Sequence, residues 1–242
     1  MIGMLIRSVI SYFLLLLVIV FIGIPCLLLM LIPARWRYDS KLFFKLSHIF
    51  YWTALKTSLV PINFVGKENI PKEPAIIVAN HQSSMDIPLV GVLLDAFPHV
   101  WLAKSELARS WLAPIVRRMA VLIDMSTPQR GVKSLMQAIN LIKGKKRHAI
   151  IFPEGGRYIE DNGVREFFAG FVMLAKQTNR PVVPIMIFNA YKVYPPGSFF
   201  VYRYPIKVLV GKPFHYKDGQ DMDQFKQQVY SWFVKQAKMS ES

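Results

Sequence analysis

At 242 residues, 53% of them hydrophobic, and with a mean hydropathy of +0.30, the chain is long enough for a sizeable core but too apolar for an ordinary soluble domain. Thirty Lys and Arg against fifteen Asp and Glu give a net charge of +15, which suits anionic lipid, phosphorylated substrates or an acidic carrier. A single cysteine, Cys26, excludes an intramolecular disulfide and a Cys-based metal centre.

From Ser8 to Ala34 the chain runs 27 residues without a charge, and about 20 apolar residues cross a bilayer core. The run is longer than a secretory h-region of about 7 to 15 residues and no small-x-small cleavage site follows, so a retained anchor is expected. Gly23 and Pro25 interrupt it, which leaves open a straight span or a helix that turns back within one leaflet. Behind it, Arg35, Arg37, Lys41 and Lys45 alternate with aromatic residues such as Trp36, Phe43, Phe44, Tyr51 and Trp52. That mixture suits the lipid headgroup zone, or alternatively a buried aromatic helix of the globular part. The basic cluster here, against Arg7 alone on the other flank, places the following domain on the cytoplasmic face of a membrane.

A composition shift near Pro61 divides the chain into a membrane-anchoring helical segment, 1–60, and a domain, 61–242. That domain holds 24 basic against 14 acidic residues, so the positive charge is not confined to the anchor. An anchored chain with no recognised binding motif argues against nucleic acid as a partner. Beyond "INFVG", strand-like runs at 75–79, 99–103, 121–125, 148–152, 182–188 and 200–210 alternate with helix-period segments, including 132–143 and 221–238. This predicts an α/β fold, a partly parallel sheet flanked by helices behind an N-terminal membrane-associated helical segment. In such sheets ligands bind beyond the carboxyl ends of strands.

The loop "NHQSSMD", Asn80 to Asp86, follows the run "AIIVA". Five residues on one helix would leave His81 and Asp86 roughly 140° apart, so a working pair needs a bend between them. Ser83 or Ser84 as the N-cap of the apolar helix "IPLVGVLLDAF" supplies it. Asp86 can then hold one ring nitrogen of His81 and leave the other as a base; an equally simple reading is a helix cap with an acid suited to the helix dipole. A second loop, "IIFPEGGR", offers a carboxylate, two glycines that let backbone approach a ligand, and the fork of Arg157. Pro184 in "VVPIMIFN" suggests an edge strand or bulge. Lys104, in "WLAKSELAR", is expected just after a strand and before a helix capped by Ser105.

In that order, "NHQSSMD", "AKSEL", "FPEGGR" and "VVPI" resemble the glycerolipid acyltransferase superfamily, most of all the 1-acylglycerol-3-phosphate acyltransferases, over about residues 62 to 215. The resemblance implies transfer of a fatty acyl group from acyl-CoA or acyl carrier protein to the free hydroxyl of lysophosphatidic acid. It implies His81 as general base and Asp86 as its orienter. Glu154 with the Gly155 and Gly156 backbone would position the glycerol portion, and Lys104 and Arg157 would hold the acceptor phosphate. It calls for no metal, no prosthetic group and no serine nucleophile.

Three places depart from the pattern: Gly156 and Tyr158 stand where threonine and serine are common, "FFAG" at 167–170 replaces F-K-K-G, and Met125 stands where an arginine often follows Ile-Asp. Arg130 is a candidate to replace that charge. These departures bear on the acceptor, so a different lysophospholipid or glycerol 3-phosphate is the alternative within the enzyme class. Outside it, the rival is a non-catalytic protein that binds lipid at the membrane surface. His48, His99, His148 and His215 lack motif support and are expected to be structural or surface residues.

Overall fold

The computed structural model describes residues 2–109, 113–159, 164–195 and 197–239. In chain order the helices and strands are α1 (Ile2–Val18), α2 (Ile24–Leu29), α3 (Ala34–Arg37), α4 (Lys41–Thr57), β1 (Ile62–Val65), β2 (Ile76–Ala79), α5 (Asp86–Leu93), β3 (His99–Lys104) and α6 (Ala113–Met119). There follow β4 (Ala120–Ile123), α7 (Pro128–Ile142), β5 (His148–Ile151), α8 (Gly170–Thr178), β6 (Val182–Phe188), α9 (Ala190–Val193), β7 (Ile206–Val210) and α10 (Met222–Met239). The chain divides into two compact units. One comprises Met1–Lys67, Gln82–Phe97 and Ile187–Leu209, the other Glu68–His81, Pro98–Met186 and Val210–Ser242.

In the first unit, α1 and α2 form one helix, Ile2–Leu29, joined through a π-helical turn at Ile19–Gly23. Pro25 falls in the first turn of α2, where a missing N–H does least harm, and the π turn absorbs the register change, so the proline does not break the helix. At 1.5 Å per residue the helix is about 42 Å long, and it is long and apolar enough to cross a membrane. Ser40 caps α4 by accepting the Phe43 N–H at 3.2 Å, and α4 returns along the first helix. A Cβ on Gly23 would stand 3.3 Å from Phe50. At the base of this hairpin the Arg7 guanidinium donates to the carbonyls of Ser58 (3.0 Å) and Leu59 (2.6 Å) beyond α4. At its tip Arg37 donates to Met30 (3.0 Å) and Ile32 (2.7 Å) beyond α2. Helix ends leave carbonyls without intrahelical partners, and the two arginines satisfy them. α4 buries Phe44 and Tyr51 as a helix of the globular part would, while Trp36 and Trp52 stay exposed. Tyr51 lies against Gly91 of α5, where any side chain would collide with its ring.

The strands are hydrogen-bonded in the order β1-β7-β6-β2-β5-β3-β4. The pairs β1–β7, β2–β5, β2–β6, β3–β5 and β3–β4 are parallel. β2 is buried on both faces, as continuous apolar runs in parallel sheets are. β6 is an interior strand, which corrects the edge expected from Pro184. Val182 exchanges both main-chain bonds with Phe214 at 2.8 Å, and Pro184, two residues on, turns the same flank to that segment and accepts the Gly211 N–H at 2.9 Å. The missing proline N–H therefore falls where pairing is an isolated bridge and not a full ladder.

The run at 200–210 yields a strand only over Ile206–Val210, because its earlier amides bond elsewhere: Val201 to the Ser8 hydroxyl and Tyr202 to the Val193 carbonyl. α7 begins before the apolar period does, at Pro128, since Thr127 caps it by accepting the Arg130 N–H at 3.3 Å. It ends at Ile142, and Gly144, two residues on, has a φ of +68°, in the left-handed region.

Candidate active site

In the second unit β2 ends at Ala79, and buried Asn80 leads directly to half-buried His81. The ring of His81 stacks on Phe152 with centroids 4.3 Å apart and planes 14° apart, and Phe152 in turn stacks on Trp101 of β3 at 5.8 Å. The main chain of His81 is clasped on both sides by the loop that follows β5. Its N–H donates to Oε1 of Glu154 at 2.9 Å, and its carbonyl accepts the Tyr158 N–H at 2.8 Å. Glu154 is buried, and its Oε2 accepts the Arg165 N–H at 3.2 Å. A carboxylate taken this far from water needs such donors.

Between these two clasps lies the glycine turn. Gly155 has φ +69°, and a Cβ there would stand 2.7 Å from Phe168 and 3.0 Å from Cε of Lys104. The lysine stem, leaving the last residue of β3, therefore reaches the turn. Gly156 has open space beside it, and Arg157 is exposed. The structure thus brings His81, Glu154, Gly155 and Lys104 together at the carboxyl edge of the sheet. The residues after Lys104 form a 3-10 turn, Ser105–Arg109, and not the expected capped helix.

In the first unit Asp86 opens α5, and the N-cap is Met85 instead of either serine. The Asp86 side chain reaches back into the loop: its Oδ2 accepts the N–H groups of Gln82 (2.6 Å) and Ser83 (2.7 Å), while Ser83 Oγ accepts from Met85 at 3.3 Å. The carboxylate is fully buried and fixes the bend that its spacing from His81 demands.

Near the end of β4, hydrogen bonds from Ser126, together with the guanidinia of Arg130 and Arg109, hold the Asp124 carboxyl below its ordinary range. Arg130 lies 3.8 Å from Asp124 and 3.4 Å from the Ser126 hydroxyl, so its nearest partner is this loop. His148 and His99 are buried partners across β5 and β3, as expected of structural histidines. Burial above all, then the neighbouring His99, pushes the His148 pKa down to about 3, and its Nδ1 accepts the Ala75 N–H at 3.0 Å. Sequence reasoning gave no role to Phe152 or Trp101, which form the apolar bed of the site, and only the adjacency of Phe152 to Pro153-Glu154 signals either; Phe168, on its flank, lies in the "FFAG" departure at 167–170.

A family model described as Acyltransferase matches residues 61–188, a stretch that contains every one of the residues named above as site candidates. The chain belongs to the acyltransferase family. Among the relatives of this acyltransferase, the 1-acyl-sn-glycerol-3-phosphate acyltransferase of Limnanthes douglasii is 30% identical over 183 residues, 73% of this chain and 63% of the relative. Those of Saccharomyces cerevisiae and Pseudomonas aeruginosa are each 30% identical over 154 residues, covering 51% and 58% of their own lengths. The acyltransferase thus spans less than two thirds of the length of these curated relatives. The crystal structure of the 1-acyl-sn-glycerophosphate (LPA) acyltransferase PlsC from Thermotoga maritima superposes with a TM-score of 0.78 at 26% identity, over 100% of this chain and 97% of that one. The family expected from motif order and the α/β fold expected from the alternation of strands and helices are both borne out.

Proposed function

We propose that this acyltransferase moves a fatty acyl group from a thioester, acyl-CoA or acyl carrier protein, to the free hydroxyl of 1-acylglycerol 3-phosphate, giving phosphatidic acid. The observation that carries this reading is the seating of His81, ring on Phe152 and main chain clasped by Glu154 and Tyr158. A general base must be held in place to act. Asp86 orients the imidazole. The other ring nitrogen takes the hydroxyl proton as the oxygen attacks the thioester carbonyl, the carbon–sulfur bond breaks, and the imidazolium returns the proton to the departing thiolate. Lys104 and Arg157 hold the acceptor phosphate, while the Gly155–Gly156 backbone frames the glycerol portion. Glu154 keeps that frame and His81 in register.

Residues 1–60 anchor the protein in the membrane, and 61–242 form the catalytic domain. Support comes from the apolar helix, whose Leu5, Phe13, Phe21 and Leu28 face outward. The Lys and Arg at 35–45 lie at the tip of the hairpin, at the other end from the domain, so they do not orient it; a cytoplasmic face gives the domain access to acyl-CoA or acyl carrier protein. The test is incubation of the purified full-length protein with lysophosphatidic acid and an acyl donor, with products identified by mass spectrometry. Phosphatidic acid from the wild type and none from His81→Ala is expected. Acylation of another lysolipid or glycerol 3-phosphate in preference would replace the acceptor, and no acyl transfer at all would leave a lipid-binding protein.

A further inference from the structure

Away from the candidate site, residues 188–207 carry seven aromatic residues, three cations and no acid. This segment belongs to the same unit as the N-terminal hairpin and is fastened to its base. The Val201 N–H donates to the Ser8 hydroxyl at 2.9 Å, in a buried bond, and the Tyr12 ring lies 5.2 Å from Phe199. Its outward side mixes aromatic residues and cations: Phe199 is 54% and Tyr204 45% exposed, and Arg203 and Lys207 are exposed beside them. Lys192 lies over the ring of Tyr204 at 5.9 Å, and Lys207 over that of Phe188 at 5.7 Å.

We propose that residues 188–207 are a second membrane-contact surface, which seats in the headgroup layer of a bilayer containing anionic phospholipid, beside the first turns of α1. Phe199 continues, through Tyr12, the exposed apolar flank formed by Leu5, Val9 and Phe13, so a bilayer that covers α1 meets Phe199 next. Tyrosine and phenylalanine with a polar or charged neighbour suit the headgroup level, where one end is apolar and the other wet. Lysines whose stems lie along aromatic rings can bury those stems and keep the ammonium among phosphates. Three cations without a carboxylate favour an anionic surface over a neutral one. The inference rests on reading residues 1–60 as the anchor, and adds to it a contact that is distant in sequence.

The test uses full-length protein with Cys26→Ala, or Cys26→Ser should the first not fold, and a polarity-sensitive fluorophore on Tyr204→Cys or, separately, Phe13→Cys. Each is reconstituted into vesicles of phosphatidylcholine alone or with phosphatidylglycerol. In phosphatidylglycerol vesicles the Tyr204 probe is expected to shift to the blue, resist aqueous acrylamide and be quenched by spin-labelled lipid. Lys192→Gln, Arg203→Gln and Lys207→Gln together should return it toward water. A Tyr204 probe that stays in water while the Phe13 probe enters lipid overturns the second contact and leaves the anchor standing. Both probes in water overturn the anchor as well. Equal immersion in the two kinds of vesicle overturns the anionic assignment.

Discussion

The main-chain N–H of His81 donates to Oε1 of Glu154 at 2.9 Å, across a gap of 73 residues in sequence. The other oxygen of the same buried carboxylate accepts from Arg165. Glu154 therefore ties two loops together through one charge, and hydrogen bonds to an ionised group are worth roughly 1.5 to 3 kcal/mol each. Glu154→Gln keeps one acceptor but turns an amide NH2 toward the second donor. It is expected to lower kcat by about one to two orders of magnitude, the equivalent of losing one such bond, with little change in acceptor KM. A rise in KM at unchanged kcat would instead make Glu154 a substrate contact.

His81→Ala is expected to abolish transfer, with a loss on the order of 10² to 10⁴ or more, as when a positioned general base is removed. Asp86→Asn should be severe for two reasons. It can leave the imidazole in the wrong tautomer, and it offers one neutral acceptor where Oδ2 now takes the Gln82 and Ser83 amides. Near-normal turnover by folded His81→Ala protein would end the catalytic assignment.

Arg157→Gln and Lys104→Gln should each raise the acceptor KM, or lower kcat/KM, by about one to two orders of magnitude, the worth of a charge-assisted contact to phosphate. Donor affinity should barely change. Steady-state kinetics with lysophosphatidic acid and with an uncharged monoacylglycerol decide the matter: equal losses on both would show that neither residue reads the phosphate.

Gly155→Ala tests the turn itself. Its φ of +69° costs an L residue about 1 to 2 kcal/mol, and the new Cβ would press on Phe168 at 2.7 Å and on the Lys104 stem at 3.0 Å. Activity should fall together with Tm. Gly156→Ala, which meets open space, should be nearly silent in Tm, and a comparable drop for both would argue against local strain.

Much of this was legible in the sequence, because strand, loop and motif are written locally. The apolar run at 182–188 became β6 residue for residue, and the bend in "NHQSSMD" was implied by the spacing of His81 and Asp86. What was not legible depends on partners remote in sequence. Nothing near Pro184 tells that Phe214 and Gly211 will take its flank, and nothing near His81 tells that Phe152 will lie beneath its ring. The same holds for Val201 and Tyr202, whose amides are claimed by Ser8 and Val193.

His148 is buried beside His99 with its pKa pushed down to about 3, and Nδ1 accepts the Ala75 N–H, a bond that only the neutral ring can make. The unfolded chain takes up this proton near the ordinary histidine value of about 6.5, whereas the folded chain does not until about 3. Between these values the unfolded state holds more protons, so stability is intact above about pH 6.5 and falls as pH drops toward 3. The slope is at most about 1.4 kcal/mol per pH unit, or about 2 kcal/mol by pH 5. His148→Asn should cost some stability at pH 8 through lost ring volume, yet its Oδ1 can still accept from Ala75. The variant should therefore show a smaller fall in Tm between pH 8 and pH 5 than the wild type, measured by thermal unfolding of the full-length protein in detergent. An equally steep fall in both would place the acid sensitivity on other groups.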